Sequence, residues 1–441
     1  MTKTDSVLPG AGPLLRRHVL VAASGSIAAV KTPLLVSALI KAGAVVRCLV
    51  TPNAEHLVSP IALASLSRHH CYRDSDQWDP SRSRPLHIEL AEWAEVVVVA
   101  PMSVSSLSRW CQGSANGLLA SVLLAIEVPV LVAIAMNTAM WKHPTVQQNW
   151  KTVKAFPGVV TLSPTTGLLA CDRLGNGRMA DPDLIMLAIA SLFSRTEAKA
   201  LADRDWKGKR LLVTAGPTQE SIDQARVLTN RSSGRMGVLL AQAAHLRGAS
   251  VQLIHGPLSV PEAWLEGLDC SPVRTAAEMQ EAIAERQPFV EFIAMVAAVT
   301  DFCRIEPSSE KLSKTHLSDF LASGWSQVPD LLANLSRQRP VGQILLGFAS
   351  LTGEDAILIE KGEIKRRVKG CDLLMVNPID RLGQGFDDQA NGGWLLGESW
   401  IREMPITSKL SLAHRLLDEM RQLLVSSAVE PGLVELPVVN I

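Results

Sequence analysis

One stretch of the sequence combines a cysteine, an arginine and two closely spaced glycines. It runs Leu169-Ala170-Cys171-Asp172-Arg173-Leu174-Gly175-Asn176-Gly177-Arg178-Met179-Ala180-Asp181-Pro182. Glycines one residue apart let the backbone adopt positive φ and approach a ligand closely. Arg178 can pair with an anion, and Cys171 can donate a proton or act as a nucleophile. The pattern is typical of a flap that closes over a substrate, although an ordinary surface turn beside a buried cysteine would have the same composition.

Two other features of the first half could also take part in chemistry. Ser24-Gly25-Ser26 stands between an apolar run and a helical pattern, where free N–H groups and the helix dipole favour a phosphate. It is not a G-x-G-x-x-G fingerprint, and small-residue turns recur in every α/β fold, so an ordinary turn is the alternative. His87 begins a helical stretch, where a histidine is either a surface residue or an acid–base group.

The second half has a polar run and two charged positions that fit a phosphorylated ligand. The run is Thr229-Asn230-Arg231-Ser232-Ser233-Gly234-Arg235-Met236-Gly237, and it enters a helix predicted over 238–246. Its hydroxyls, N–H groups and arginines can bind phosphate, although a polar helix cap would have the same composition. Asp301 is predicted to end a buried strand, a common place for a residue that binds Mg²⁺ or a sugar hydroxyl. Lys311 follows in a segment, 303–330, that we expect to be irregular and mobile.

The elements that must position these residues follow from a repeated pattern of apolar runs and helices. We predict strands at residues 18–23, 44–50, 96–100 and 130–135 in the first half, and at 210–214, 250–255, 292–297, 343–348 and 371–377 in the second. Continuous apolar strands that alternate with helices predict doubly wound α/β folds, whose ligands lie at the carboxyl ends of the strands. We therefore predict two Rossmann-like domains, over 17–193 and 209–425, with a linker over 194–208 and a C-terminal tail over 426–441.

The composition excludes several classes of protein. The 441 residues are 47% hydrophobic and 20% charged, so the chain is long and apolar enough for two or three globular domains. The 43 Lys and Arg balance 43 Asp and Glu, which leaves no global field to attract nucleic acid or an acidic membrane. The seven cysteines are dispersed without a C-x-x-C pair, and the first residues do not resemble a secretory signal. We therefore expect reduced thiols, no zinc site and a cytoplasmic location.

The longest apolar run, residues 118–136, could be mistaken for a membrane span. Glu127 and Pro129 interrupt it. We predict a buried helix that ends near Ala125, followed by a buried strand, because each part has the length of a core element and not of a transmembrane helix.

A further motif of the first half carries a family resemblance. Ala135-Met136-Asn137-Thr138-Ala139-Met140-Trp141 is similar to the Pro-Ala-Met-Asn turn of the flavin-dependent cysteine decarboxylases. With His87 and the Cys171 flap, it resembles the phosphopantothenoylcysteine decarboxylase family, whose fold is flavodoxin-like and binds FMN. The resemblance implies that His87, Asn137 and Cys171 are the catalytic residues. It also implies FMN contacts at Gly25, Ser26, Thr51 and Ser103 and substrate contacts at Arg178 and Met179.

The resemblance also implies a mechanism. FMN would oxidise the substrate thiol to a thioaldehyde, so that carbon dioxide can leave and give an enethiolate. Asn137 would hold the substrate carboxylate or amide at the flavin, and His87 would position or exchange protons. Reduced flavin would return a hydride while Cys171 protonates the enethiol, because a thiol with a pKa of about 8.5 is mostly protonated at neutral pH.

The second half resembles the phosphopantothenate–cysteine ligase family. The similar motifs are the polar turn with Asn230, Ala297-Ala298-Val299-Thr300-Asp301, Glu310-Lys311-Leu312-Ser313-Lys314, Gly347-Phe348-Ala349 and Gly385-Phe386. The resemblance implies that Asn230 binds substrate, that Asp301, Lys311 and Phe348 bind the nucleotide, and that Asp301 also binds Mg²⁺. CTP and Mg²⁺ would activate the carboxylate of 4′-phosphopantothenate as an acyl-cytidylate, which the cysteine amine attacks. A lysine at the phosphates would neutralise the charge of the leaving pyrophosphate.

The sequence departs from these family patterns at five positions. They are Ile134, in place of a proline, Ser105, in place of an asparagine, Asn116 and Gly117, in place of an acidic pair, and Leu351, in place of an acidic residue. Our leading hypothesis is a bifunctional enzyme of coenzyme A synthesis that acts as a homo-oligomer. The alternatives are a non-catalytic flavin-binding protein, a ligase with a degenerate decarboxylase domain, and a dinucleotide oxidoreductase, against which the missing G-x-G-x-x-G turns count.

Overall fold

The structure of the protein is a computed structural model that describes residues 12–168, 174–195, 204–385 and 388–427. The chain divides into two compact units. The first comprises the chain up to Asp205 together with Pro261–Gly267. The second comprises Trp206–Val260 and the chain from Leu268 onward. Both units are α/β, so the predicted fold class is confirmed.

The described part of the first unit is built on a parallel sheet with the strand order β3-β2-β1-β4-β5-β6. Its elements are β1 (His18–Ala23), α1 (Thr32–Lys41), β2 (Val45–Val50), α2 (Pro52–Glu55), α3 (Pro60–Ser67), β3 (Cys71–Tyr72), α4 (Leu86–Trp93), β4 (Val96–Met102), α5 (Val104–Cys111), α6 (Leu118–Ala125), β5 (Val130–Ile134), α7 (Thr138–Lys142), α8 (Pro144–Ala155), β6 (Val159–Leu162), β7 (Thr165–Leu168), β8 (Leu174–Arg178) and α9 (Pro182–Phe193). The strand order reverses between β1 and β4, the place where doubly wound sheets bind ligands.

The central strands of this sheet are apolar throughout because helices cover both of their faces. Every residue of β4 and β5 is buried. The apolar run that could be mistaken for a membrane span forms α6 and then β5, as the sequence predicts. Among the described residues, no helix is both long enough and apolar enough to cross a membrane.

The second unit has the sheet order β13-β12-β9-β14-β17-β18-β19-β20, in which β19 and β20 are antiparallel. Its described elements are β9 (Arg210–Ala215), β10 (Gln219–Ser221), β11 (Val227–Thr229), α10 (Arg235–Leu246), β12 (Ser250–His255), β13 (Asp269–Pro272), α11 (Ala276–Arg286), β14 (Phe292–Met295), β15 (Phe302–Arg304), α12 (Lys314–Ala322), β16 (Trp325–Gln327), α13 (Leu331–Gln338), β17 (Ile344–Leu351), α14 (Asp355–Lys369), β18 (Leu373–Pro378), β19 (Ala390–Leu396), β20 (Ile401–Ser408) and α15 (Lys409–Ser427). Here the order reverses between β9 and β14.

Two predictions for the region around Asp301 are wrong. The strand β14 ends at Met295, and Asp301 lies beyond it as an exposed residue. The hydroxyl of Thr214 accepts hydrogen bonds from the N–H groups of Val296 and Ala297 at 3.1 Å each, which takes the place of the next strand pairing. The segment 303–330 is not irregular, because β15 and β16 form an antiparallel pair on either side of α12.

The polar run of the second unit also enters its helix earlier than predicted. Helix α10 begins at Arg235 and not at residue 238. Gly234 precedes it with φ of 74°, a left-handed conformation that favours glycine. Thr229 ends β11, the residues 230–234 therefore form the turn, and Arg235, Met236 and Gly237 belong to the first turn of the helix.

Candidate active sites

A cavity of about 540 Å³ lies at the carboxyl ends of β1, β4 and β5 in the first unit. Six of the residues predicted from the sequence line it, namely Gly25, Ser26, Ser103, Asn137, Arg178 and Met179. They come from four separate parts of the chain. Most of the remaining lining is apolar, and Ile27, Val30 and Met140 contribute to it. The cavity has the size and the mixed lining of a small-molecule or cofactor site.

The turn after β1 is fixed to the turn after β4 by a buried serine. The Ser24 hydroxyl donates to the carbonyl oxygen of Pro101 at 2.8 Å and accepts from the N–H of Ser103 at 2.7 Å. No side chain fits at Gly25, because a Cβ there would lie 2.5 Å from the Cβ of Asn53. The turn is therefore held in place at the cavity by Ser24, and its Gly25 packs closely against Asn53.

The Ala-Met-Asn turn after β5 is held by strand β8. The N–H of Met136 donates to the carbonyl oxygen of Gly177 at 3.0 Å. A Cβ at Gly177 would lie 2.1 Å from the carbonyl oxygen of Met136, so glycine is required for this approach. Asn137 caps helix α7, and its side-chain oxygen accepts from the N–H of Ala139 at 2.8 Å.

The predicted flap is an antiparallel hairpin of β7 and β8. Arg178 at the end of β8 pairs with Thr165, and its guanidinium group lies over Gly167, where a Cβ would be 2.6 Å from Nη1. The predicted catalytic residue Cys171 belongs to residues 169–173, which lie outside the described residues. The described strands bring Arg178 and Met179 to the cavity.

The cavity contains one cation that was not predicted from the sequence. Lys31 lines it, and its Nζ lies 3.7 Å from Oδ2 of Asp181. Lys31 and Arg178 together give the cavity two positive side chains that can meet an anionic group. The available signal was the position of Lys31 shortly after the Ser24-Gly25-Ser26 turn.

Two residues predicted for the first site do not line the cavity. His87 is half-buried in the first turn of α4. Thr51 directly precedes helix α2 and lines a separate small crevice together with Asp74 and Gly117. Gly117 has φ of 101°, and a Cβ there would lie 2.8 Å from Oδ2 of Asp74. The Asn116-Gly117 departure therefore fits its surroundings, because Asp74 already supplies a carboxylate to this crevice.

In the second unit, the polar turn meets the segment that leads to Asp301. Nδ2 of Asn230 donates to the carbonyl oxygen of Val299 at 2.9 Å and to that of Ala298 at 3.4 Å. The N–H of Thr300 donates to Oγ1 of Thr218 at 2.9 Å. These bonds fix the segment that precedes Asp301, although it belongs to no strand.

A second cavity, of about 400 Å³, contains two of the residues predicted for a nucleotide. Asp301 and Phe348 line it, together with Asp330 and Lys369, which the sequence did not predict. Nζ of Lys369 lies 2.5 Å from Oδ2 of Asp330. The carboxylate of Asp330 also caps helix α13 by accepting from the N–H of Ala333 at 3.0 Å. Burial raises the pKa of the Asp330 carboxyl, but these donors and the lysine charge outweigh it, so the net pKa is lowered.

The lining of this second cavity can hold charged groups of either sign. Asp301 and Asp330 are two carboxylates in one cavity, a donor set that suits Mg²⁺ with the phosphates of a substrate. No group of three or more His, Cys, Asp or Glu side chains lies close enough to hold a metal ion within the described ranges. Lys311 is exposed between β15 and α12 and does not line this cavity.

Two families match the chain. The family described as Flavoprotein matches residues 11–194, and the family described as DNA/pantothenate metabolism flavoprotein C-terminal domain matches residues 206–424. The coenzyme A biosynthesis bifunctional protein CoaBC of Bacillus subtilis (strain 168) is 34% identical over 412 residues, which are 93% of this chain and 98% of that relative. The protein of the same name from Escherichia coli (strain K12) is 33% identical over 411 residues, 92% of this chain and 97% of the relative. A solved structure of the C-terminal domain of a coenzyme A biosynthesis bifunctional protein CoaBC is 28% identical, with a TM-score of 0.42, and covers 50% of this chain and 99% of that chain.

Proposed function

Because the chain belongs to the family of the coenzyme A biosynthesis bifunctional protein, we propose that it joins cysteine to 4′-phosphopantothenate and then decarboxylates the product to 4′-phosphopantetheine. The observation that carries the proposal is the convergence of six predicted residues on one cavity of the first unit. The second cavity, with Asp301 and Phe348, supports the ligase step. We assign the decarboxylase to residues 17–193 and the ligase to 209–425, in keeping with the two matched families.

The first cavity fits FMN. Its apolar lining suits a flavin ring, and the turn at Gly25 and Ser26, which lies between β1 and the helical residues that follow, suits a phosphate. Gly25, Ser26 and Ser103 would hold the cofactor there, and we keep Thr51 as a predicted contact although it lines a neighbouring crevice. When bound, FMN supplies the oxidation of the substrate thiol and its later reversal.

The residues of the chain would orient the substrate and move its protons. Asn137, exposed at the cavity, would hold the cysteine carboxylate or amide, and Arg178 would meet an anionic group of the substrate. Met179 would contact its apolar part. Cys171 would protonate the enethiol, and we expect Cys171→Ser to stall decarboxylation at an oxidised or enethiol intermediate while ligation continues. Unchanged output of 4′-phosphopantetheine would remove Cys171 from this role.

We propose that the active protein is a homo-oligomer and that His87 acts on the cavity of a neighbouring copy. His87 does not line the cavity of its own copy, whereas Ile27, Val30, Met140 and Leu168 at that cavity are between 48% and 62% exposed. Exposed apolar side chains that cluster at a site are typical of an interface. Co-expression of His87→Ala with Cys171→Ser tests this. A site shared between the two variants would combine an intact His87 from one copy with an intact Cys171 from the other. We expect decarboxylation to recover in the mixture, and no recovery would place both residues in one copy.

The second cavity would bind CTP with Mg²⁺. Asp301 would hold the metal with the phosphates, and Phe348 and Lys369 would contact the nucleotide. Lys311, from the neighbouring segment, would neutralise charge that develops on the leaving pyrophosphate. Asn230 would bind 4′-phosphopantothenate. Because Nδ2 of Asn230 donates to two carbonyl oxygens, we expect Asn230→Asp to lose these bonds and to impair ligation without affecting decarboxylation.

The direct test is mass spectrometry of the purified protein after incubation with 4′-phosphopantothenate, cysteine, CTP and Mg²⁺. Matched samples contain ATP in place of CTP, or a chelator in place of Mg²⁺. We expect 4′-phosphopantetheine with CTP and Mg²⁺. Accumulation of 4′-phosphopantothenoylcysteine would indicate a ligase whose decarboxylase has been lost, and no product with either nucleotide would favour a flavin-binding protein without catalysis.

A further inference from the structure

Asp223 is a buried carboxylate in the turn between β10 and β11, and it is 4% exposed. Its Oδ1 accepts hydrogen bonds from the N–H groups of Ala225 and Arg226, each at 2.8 Å. Its Oδ2 accepts from Nη1 of Arg226 at 2.6 Å. The same Oδ2 accepts from the N–H of Leu312 at 3.2 Å, 89 residues further along the chain. One carboxylate thus joins the hairpin turn to a distant segment.

Arg226 completes this connection. Its Nη1 donates to the carbonyl oxygen of Leu312 at 3.3 Å, so that Asp223 and Arg226 hold both backbone polar groups of one residue. A second connection lies nearby, where the N–H of Ser308 donates to the carbonyl oxygen of Ile222 at 3.0 Å. We call residues 308–313 the lysine segment. It is fastened to the hairpin turn on both sides of Lys311.

The same hairpin also fixes the other two predicted groups of this unit. Oγ1 of Thr229, at the end of β11, donates to the carbonyl oxygen of Thr218 at 2.8 Å, and Asn230 follows directly. Oε1 of the buried Glu220 in β10 accepts from the N–H of Ala276 at 2.8 Å and from Oγ1 of Thr300 at 3.4 Å. The residue beside Asn230 therefore belongs to the hairpin, and the residues beside Asp301 and Lys311 are bonded to it.

The charge of Asp223 suits this role. Burial raises the pKa of its carboxyl, but three backbone N–H donors and the Arg226 charge outweigh burial, and the net pKa lies below the ordinary range. The carboxylate is therefore ionised at neutral pH. An ionised acceptor makes stronger hydrogen bonds to N–H groups than a neutral one.

We propose that Asp223 is a positioning residue for ligation: together with Arg226 it fixes the backbone of Leu312 and so confines Lys311 near the nucleotide phosphates. This inference rests on the proposed ligase function and on the role of Lys311 in it. A segment that is ordered before binding loses less conformational entropy when the nucleotide arrives. Without the clasp formed by Asp223 and Arg226, CTP would have to order the lysine segment itself, and Lys311 would reach the leaving group less often.

The test is Asp223→Asn in the full chain, with Asp319→Asn as the matched control. Asp319 is an exposed acid on α12 of the same unit, so its amide variant changes the same charge away from the clasp. We expect Asp223→Asn to raise the KM for CTP and to lower kcat/KM for ligation by between about 10-fold and 100-fold. The control should stay within about twofold, and decarboxylation of supplied 4′-phosphopantothenoylcysteine should not change in either variant.

A double-mutant cycle with Lys311→Ala separates positioning from general stability. If Asp223 acts through Lys311, its substitution should add little once Lys311 has been removed, whereas a structural defect would lower ligation in both backgrounds. Arg226→Lys is the second variant, because it keeps the charge and loses the paired donors. Arg226→Lys should reproduce part of the loss of ligation. Additive effects of Asp223→Asn and Lys311→Ala on ligation would overturn the proposal.

Proteolysis tests the clasp without activity. A protease that cleaves after lysine should cut the native Asp223→Asn protein at Lys311 faster than it cuts the wild type or Asp319→Asn. Unchanged cleavage would refute the clasp even if ligation fell. Absence of CTP-dependent ligation in the wild type would instead contradict the proposed function, so the two failures are distinguishable.

Discussion

Both candidate active sites belong to sheets whose strand order reverses, but different kinds of contact hold the two sites in place. The first cavity is shaped by close approaches that require glycine, to the Asn53 side chain at Gly25 and to the Met136 backbone at Gly177, and its lining is largely apolar. The second is lined by carboxylates and a lysine, and its surroundings are fixed by side-chain hydrogen bonds that start from the β10–β11 hairpin. A flavin ring needs a preformed apolar slot, whereas a metal-bound triphosphate needs charged groups that are held in position to meet it. The difference therefore matches the two proposed ligands.

The largest effect on one site and not the other is expected from Asn137→Asp in the first cavity. Aspartate caps a helix as well as asparagine, so α7 should keep its N-terminal hydrogen bond to Ala139. The new negative charge would repel a substrate carboxylate, and we expect decarboxylation to fall roughly 100-fold or more. The measurement is the rate of carbon dioxide release, with the melting temperature and the ligation rate as controls. A lower melting temperature that accompanies the loss of activity would mean that the residue is needed for the helix cap alone.

A matched pair of glycine substitutions should damage one site each. Gly177→Ala would place a Cβ 2.1 Å from the carbonyl oxygen of Met136, and Gly237→Ala would place one 2.6 Å from the Cβ of Ala215. Overpacking of this kind costs about 1–3 kcal/mol. We expect Gly177→Ala to lower FMN binding roughly tenfold or more while ligation persists. We expect Gly237→Ala to lower ligation to a similar degree while FMN binding persists. FMN absorbance and pyrophosphate release are the two readouts, and loss of both in either variant would contradict independent sites.

The charged character of the second cavity is tested by Lys369→Met, with Lys361→Met as its control. Both lysines lie on α14, but Lys361 is exposed and only Lys369 lines the cavity among the residues described for it. We expect Lys369→Met to raise the KM for CTP about tenfold, the equivalent of one lost charged contact of about 1.4 kcal/mol. Initial rates at varied CTP would show this. A KM that did not respond to Lys369→Met would remove this lysine from the nucleotide site.

The hydrophobic cores of the two units should respond alike to alkaline pH, in contrast to the two candidate active sites, which differ in their contacts. Burial raises the pKa of the Cys48 and Cys71 thiols in the first unit to about 12, and that of Cys371 in the second to about 11. Since the folded-state pKa is raised, the fold favours the protonated thiol, and stability is lost as the pH rises from about 9 towards these values.

We expect iodoacetamide at pH 8 to leave these three thiols unmodified in the native protein and to label them in urea, since only the thiolate reacts. Mass spectrometry of the peptides measures this, and the half-buried Cys303 is the internal control that should react in the native state. Rapid native labelling of Cys48 would show that the core of the first unit opens easily.

Much of the fold was predictable because it depends on local patterns. The apolar runs gave β1 and β12 with their observed limits, and Glu127 with Pro129 correctly separated α6 from β5. The limit of β14 was not predictable in this way. The residues after it are small and apolar like a strand, but the hydroxyl of Thr214 takes their N–H groups out of the sheet.

The first site was more predictable than the second for a physical reason. Its residues lie in turns directly after strands, and a doubly wound sheet brings such turns together whatever the details of packing. Lys369 is at the far end of α14 from Phe348, and no spacing rule connects it with Asp330. Asp223 looks like an ordinary turn residue in the sequence, and only the folded chain shows that it binds Leu312.

The sequence by itself determined the strands, the turn residues and the chemical types available at the strand ends, because these follow from hydrophobic periodicity and backbone freedom over a few residues. The tertiary structure alone decided which of them meet. Met136 touches Gly177, Lys369 pairs with Asp330, and Asp223 holds Leu312, all through contacts between residues about 40 to 90 positions apart. Such contacts depend on how the elements pack against one another, which no short stretch of sequence encodes.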